Sequence, residues 1–314
     1  MNNSVNLLQI TFTIYSSLGV YNVALVVFVF VFYVSSVCIN VFLVTVICTD
    51  PRLYGRPMYV LLMNLCLCGM VGTTSVCLSI IKHVLHHNQQ MSLQACLTQV
   101  FFNGMYSTCI FCILALMAYD RYVSICKPLL YHTIMTPLRV NLMLLVVYMV
   151  LGSFSGMQLY LTSRLQLCGH AVDKLFCYSM AIAYLSCKSS TVIYVYGLTC
   201  ACFFIMLPCC LVILSYVHIF MVIVKKSKDS QRRALQTCTP HLVTFINFSV
   251  ASLFGVIYNR LSRDLPIVVT IFITVNFFII PPLLHPIIYG IKMQEIRQSI
   301  SKRLKDKKRS CDFN

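Results

Sequence analysis

Charge is scarce in this sequence. Only 10% of its 314 residues are Asp, Glu, Lys or Arg, and just 8 are acidic, against roughly 25% charged in ordinary soluble domains. A water-soluble globular domain is thereby excluded. Seven long stretches, roughly 22–48, 57–81, 96–119, 140–163, 190–224, 236–259 and 265–290, contain no Asp, Glu, Lys or Arg. An ion-coupled transporter or channel works through charge held at membrane depth, so that class is disfavoured. A membrane enzyme is disfavoured too, because His241 and His285 stand on separate stretches with no acidic partner and no H-E-x-x-H spacing. No period of 20 to 50 residues recurs, which argues against a solenoid or a duplicated transporter. The first twenty residues lack a charged leader and a small-residue cleavage site, so the first apolar stretch is expected to serve as a signal anchor.

What is present is apolar. Hydrophobic residues make up 59% of the chain, and each of the seven stretches reaches the ~18 residues that a membrane-spanning helix requires. The expected fold is all-α: a seven-transmembrane-helix bundle over 22–290, preceded by an extracellular N-terminus over 1–21. Residues 291–314 follow as a cytoplasmic helix and basic tail. Turn residues support these cuts, as at Asp50-Pro51 and Gly55 after the first stretch.

Orientation follows from the bases. With the N-terminus placed outside, 18 of the 24 Lys and Arg residues fall on inner segments. The positive-inside rule therefore favours an extracellular N-terminus and a cytoplasmic C-terminus in the plasma membrane. The formal charge of +16 suits anionic membrane lipid and an acidic protein partner. Nucleic acid is not an expected partner, since the bases are scattered over loops. Asn2 begins an N-x-S sequon on the outer side and is a glycosylation candidate. The matching sequon at Asn247 lies within a span.

Of 18 cysteines, four fall on the outer side: Cys96, Cys168, Cys177 and Cys187. In an oxidising compartment an even set of four reads as two disulfides, with three pairings open. A metal site lacks ligand spacing there, and no cofactor is expected.

The stretch "LMAYDRYVSICKPLLY" ends an apolar run in an adjacent acid and base. Arg121 lies 25 residues beyond Cys96, about 37 Å along a helix at ~1.5 Å per residue. That exceeds the ~30 Å hydrocarbon core, so the pair should emerge at the cytoplasmic face. Taken alone, the two charges could merely end the span. In the tail, Met293, Ile296, Ile300 and Leu304 recur at threes and fours opposite Lys and Arg, the pattern of an amphipathic helix on the membrane surface.

Four stretches, "PMYVLLMNL" at 57–65, "MAYDRYVSICKPLLY" at 117–131, "RRALQTCTPHL" at 232–242 and "PPLLHPIIYG" at 281–290, occur in order, with "SYVHI" at 215–219 and a three-cysteine loop. Together they resemble the olfactory (odorant) receptors, a branch of the rhodopsin-like G-protein-coupled receptors. The resemblance implies a small-molecule odorant as ligand and a heterotrimeric G protein, of the cAMP-raising type, as partner. It implies that Asp120, Arg121 and Tyr122 hold the inactive bundle and contact the G protein. Pro286 and Tyr289 would form the moving end of span seven, and His241 would join the inner network. It also implies the pairings Cys96–Cys177 and Cys168–Cys187. Three positions depart from the family pattern: Gly69 replaces an acid, Pro240 a Ser and His285 an Asn. A sodium site like that of related receptors is not expected with Gly69, and altered activation switching is.

The ligand site is read from span three. Asn103 and Ser107 are four apart, as are Gly104 and Thr108, so they share one side of a helix. Ser107 lies about 16 Å below Cys96 at ~1.5 Å per residue, the depth of an open cleft. From span six, Ser252, Val256 and Arg260 would face it, Arg260 at the rim where a guanidinium could pair a carboxylate. Helix–helix packing explains Ser, Thr and Gly here equally well. Span seven has no lysine for a retinal Schiff base, and the outer half of span three has no carboxylate for an amine. The expected ligand is neutral or weakly anionic. A non-olfactory chemosensory or orphan receptor of the same class is the alternative, and a small-molecule transporter ranks far behind.

Overall fold

The computed structural model describes residues 9–17, 19, 21–85, 89–188, 191–261 and 266–312, with side chains given for all but 17, 21, 258–261 and 304–312. The Asn2 sequon and the side chains of Arg260, Leu304 and Cys311 lie outside the described residues.

Seven helices long and apolar enough to cross a membrane run through these residues. They are α1 (Tyr21–Thr49), α2 (Pro57–Leu85), α3 (Leu93–Cys126), α4 (Pro137–Ser163), α5 (Thr191–Ile223), α6 (Lys228–Leu261) and α7 (Ile267–Lys292). An eighth, α8 (Gln294–Asp312), follows after Met293 alone. Helix starts obey local chemistry. Ser92 and Thr136 cap α3 and α4 by accepting from the amides of Ala95 and Arg139, both at 3.3 Å. Pro57 and Pro137 stand at first-turn positions, where a missing N–H costs nothing. Gly55 takes φ +76° in the α1–α2 turn, a left-handed conformation suited to glycine.

Several helices run past the apolar stretches. Most consequential is α3, which continues to Cys126 rather than stopping near 119, so Asp120 and Arg121 are helical. Asp120 is buried and hydrogen-bonded, so nothing obliges the helix to end there. Two helices contain one wide turn each, Cys202–Met206 in α5 and Val275–Ile279 in α7. Such π turns free a backbone carbonyl for other partners.

Half of the most apolar stretch of α3 is buried, against 17% of that of α5. α3 is the central post because it packs against α2, α4, α5 and α6. On the outer faces Val23, Phe220 and Val268 stand 72%, 66% and 72% exposed. Such a girdle of bare aliphatic and aromatic side chains suits hydrocarbon rather than water. In α8, Ile296 is buried and Ile300 packs against the core, as does Met293 just before it, while Glu295 binds Arg56 at 3.0 Å.

The segment before α1 is not a bare tail. Strand β1 (Gln9–Phe12) lies between β2 (Gln90–Ser92), antiparallel, and β3 (Ala171–Val172), parallel. Ile10 pairs with Met91 and Thr11 with Ala171. Ile10 and Phe12 are fully buried, and Tyr15 stacks on His83 at 5.5 Å while donating to the Leu175 carbonyl at 2.6 Å. This small sheet caps the end of the bundle that carries the disulfides.

Candidate functional site

Two disulfides shape that end. Cys96 in the first turn of α3 bonds Cys177, 81 residues on, and Cys168 bonds Cys187. The α4–α5 loop is thereby folded back on itself, with the amides of Cys168 and Cys187 donating to the Leu185 and Gln166 carbonyls at 2.9 Å each. Two amide side chains of α3 hold the loop down. Gln99 Oε1 accepts from the Cys177 amide at 2.7 Å, and Asn103 Nδ2 donates to the Cys177 carbonyl at 3.2 Å.

Beneath the loop lies a cavity of about 240 Å3 bounded by α3, α4, α5, α6 and α7. Asn103, Gly104, Ser107, Thr108, Ser252 and Val256 all line it. Their roles differ. Asn103 is already committed at both ends of its amide, since Oδ1 accepts from Ser75 at 2.7 Å. Thr108 bonds back to the Gly104 carbonyl at 2.8 Å within its own helix. A methyl at Gly104 would meet Ser155 Oγ at 3.5 Å, an ordinary contact. Ser252 is buried and its hydroxyl has no hydrogen-bond partner among the described residues. The Tyr178 hydroxyl is in the same condition, and burial raises its pKa so that it stays protonated. Leaving a buried hydroxyl unpaired costs about 1–3 kcal/mol.

Sequence reasoning missed the loop's share of this wall: Lys174, Phe176, Tyr178 and Ser179. It also missed Gln158 of α4 and Thr270, Thr274 and Phe277 of α7. The loop residues carried one signal. Once Cys177 is tied to the top of α3, its neighbours 176 and 178 must hang over whatever lies beside that helix.

The floor is built around Tyr106. Its hydroxyl donates to the Phe277 carbonyl at 2.8 Å, and Thr73 donates to the Phe278 carbonyl at 2.9 Å. Both acceptors sit in the π turn of α7. Tyr106, Phe248, Phe277 and Phe278 pack ring against ring at 4.7–6.0 Å.

At the opposite, basic end a second cavity of about 890 Å3 opens. Asp120, Arg121, Tyr131 and Arg56 line it, with Glu295 of α8 and Gln236 of α6. Asp120 accepts from the Tyr131 hydroxyl at 2.8 Å rather than from its neighbour Arg121. Burial, then the adjacent carboxylate, raises the Tyr131 pKa well beyond the ordinary phenol range. Arg121 keeps a buried Nε without a hydrogen-bond partner among the described residues. Tyr122 turns away toward α5, where it meets His218 edge-on at 6.0 Å, with the Lys127 ammonium 5.8 Å from its ring.

Deeper in, a buried relay joins four helices, α3, α5, α6 and α7. His241 Nε2 lies 2.8 Å from the Leu114 carbonyl. A carbonyl only accepts, so that nitrogen carries the proton and Nδ1 accepts from Tyr216 at 2.9 Å. The Thr244 hydroxyl donates to the His241 carbonyl at 2.8 Å and lies 3.3 Å from the Tyr289 hydroxyl. Pro286 is buried within α7 beside His285, whose ring nitrogens have no partner among the described residues. Asp120 and Arg121 thus share the open mouth. His241 and Tyr289 form a separate closed network, and Tyr122 and Pro286 line neither cavity.

A family model described as "Olfactory receptor" matches residues 28–307. Among curated proteins, human olfactory receptor 51G1 is 32% identical over 285 residues, covering 86% of this chain and 85% of the relative. Human olfactory receptor 10J5 is 30% identical over 306 residues, covering 95% and 96%. Human olfactory receptor 4E1 is 33% identical over 288 residues, covering 89% and 87%. With seven apolar helices in the same chain, these matches make it a multi-pass membrane protein that belongs to the olfactory receptor family.

Proposed function

We propose that this chain is an odorant receptor whose ligand occupies the cavity beneath the α4–α5 loop. The observation that carries the reading is that cavity itself: apolar for most of its wall, yet lined by Ser107, Tyr178 and Ser252. Small-molecule sites have this composition, with a few polar groups fixing orientation inside an apolar shell. The described lining includes no acidic side chain, which supports a neutral or weakly anionic ligand over a cationic one. Arg260 remains part of the proposal from its place in the sequence.

The two disulfides support an extracellular placing of that end, because such bonds persist in oxidising compartments. The C-terminus is then cytoplasmic, and the large basic cavity is the G-protein side. Its partner is a heterotrimeric G protein that raises cAMP. Asp120, Arg121 and Tyr122 are the coupling residues, and His241, Pro286 and Tyr289 are the switch behind them. A glycan at Asn2 completes the extracellular face, and the basic rim and α8 rest on anionic lipid. Ligand binding shifts the bundle between two packings by favouring one of them.

The test is a screen of odorant mixtures against transfected cells carrying a cAMP reporter. A dose-dependent response that is lost in the Arg121→Ala receptor at equal surface expression is the expected result. Agonists whose potency ignores every cavity substitution would refute the ligand site.

A further inference from the structure

Away from both cavities, two thiols touch. Cys68 of α2 and Cys109 of α3 hold their sulfurs 2.9 Å apart, and neither belongs to the two disulfides. That is nearer than the ~3.5–4.0 Å at which non-bonded carbon atoms settle, and a disulfide requires ~2.05 Å. Cys109 lies 13 residues below Cys96, about 20 Å at ~1.5 Å per residue, so the pair sits midway through the bundle.

A third helix fixes the direction of the hydrogen bonds. Asn64 Nδ2 donates to the Val60 carbonyl at 2.8 Å, which leaves its Oδ1 to accept from the Tyr148 hydroxyl at 2.8 Å. With its one proton so placed, Tyr148 of α4 can only accept from Cys68, 3.5 Å away. Cys68 therefore points its S–H at Tyr148 and turns a lone pair toward the S–H of Cys109. The two sulfurs are held in register by α2, α3 and α4 together.

We propose that Cys68 and Cys109 form a reversible thiol–disulfide pair, oxidised by hydrogen peroxide, a small neutral molecule able to enter the apolar bundle. One sulfur attacks a peroxide oxygen; the O–O bond breaks, giving a sulfenic acid and one water. The second sulfur then attacks the sulfenic sulfur; the S–S bond forms and the hydroxyl leaves as a second water. The two thiols are oxidised by two electrons, the peroxide is reduced, and both thiol protons end in water. A small external thiol pair reverses the bond by exchange. Because Cys109 follows Thr108 of the upper cavity wall, the bond would fasten that wall to α2.

The experiment uses the purified full-length receptor in detergent micelles. It is treated with hydrogen peroxide, unfolded, alkylated with N-ethylmaleimide, digested with chymotrypsin and mapped without reduction. A Cys68–Cys109 linked peptide is expected, reversed by dithiothreitol, with the Cys96–Cys177 and Cys168–Cys187 links unchanged. Cys68→Ser should remove it and leave Cys109 open to alkylation. The proposal is overturned if both residues are recovered as alkylated thiols under peroxide that oxidises the exposed Cys48. Linkage of either one to Cys66, Cys77 or Cys112 also overturns it.

Discussion

Tyr106 reaches the Phe277 carbonyl only because residue 72 has no side chain. A β-carbon on Gly72 would lie 2.2 Å from Tyr106 Cδ2 and 2.3 Å from Cγ, inside the ring's own volume. Three helices meet through that absence: α2 supplies the gap, α3 the phenol and α7 the π-turn carbonyl.

Gly72→Ala should therefore destabilise the bundle by about 1–3 kcal/mol, the usual cost of overpacking a filled core. Thermal unfolding of the purified receptor measures it. Gly152→Ala is the control, since a methyl there meets nothing within 4 Å and alanine is the better helix former. Equal melting temperatures for the two variants would contradict the packing described here.

Within the upper cavity, polar residues should separate into two groups. Ser252→Ala and Tyr178→Phe remove hydroxyls that have no hydrogen-bond partner among the described residues, so the fold should tolerate them. Each should weaken an oxygen-bearing agonist roughly tenfold, about 1.4 kcal/mol. Asn103→Ala should instead lower surface expression, because it breaks the ties to Ser75 and Cys177. Dose–response curves normalised to surface receptor distinguish the two patterns, and Ser107→Val is expected to follow the first.

At the basic end, Arg121→Ala should abolish agonist-evoked cAMP while leaving surface expression within about twofold, since Arg121 Nε has no hydrogen-bond partner among the described residues. Tyr131→Phe should behave differently. It leaves the buried Asp120 carboxylate without its donor, a loss of about 1–3 kcal/mol, visible as a lower melting temperature. A full cAMP response from the Arg121 variant at matched expression would refute the coupling role.

For the disulfides, chain entropy predicts unequal losses. Cys168–Cys187 closes a separation of 19 residues and Cys96–Cys177 one of 81. The shorter is worth about 3 kcal/mol and the longer somewhat under ~5 kcal/mol. Cys177→Ser should then reduce surface expression more than Cys187→Ser, counted by flow cytometry on unpermeabilised cells. The reverse order would contradict the entropic account.

Much of this was legible in the residues and some was not. Seven uncharged apolar stretches specify seven helices almost directly, because only a helix satisfies a stretch's backbone polar groups within the stretch itself, and these continuous apolar runs lack the alternation of barrel strands. The four-residue spacing of Asn103, Ser107, Gly104 and Thr108 was enough to bring them to one cavity wall. Spacing could not tell that Asn103 divides its amide between α2 and the loop, since its partners Ser75 and Cys177 lie 28 and 74 residues away. Nor does any periodicity mark the π turn at Val275–Ile279, whose acceptors serve residues on α2 and α3. The strand QITF reads as four unremarkable residues, because both its pairings are long-range.

That strand constrains how the receptor can be handled. β2 and β3 do not pair with each other; β1 is the middle strand, and Thr11 and Phe12 donate backbone hydrogen bonds to either side. An epitope tag or reporter fused upstream of Gln9 leaves this seam closed. One that replaces residues 9–12 unzips the α4–α5 loop from the α2–α3 turn. A surface-display assay built on such a truncated fusion would then score a folded bundle with a loosened roof as a receptor that cannot smell.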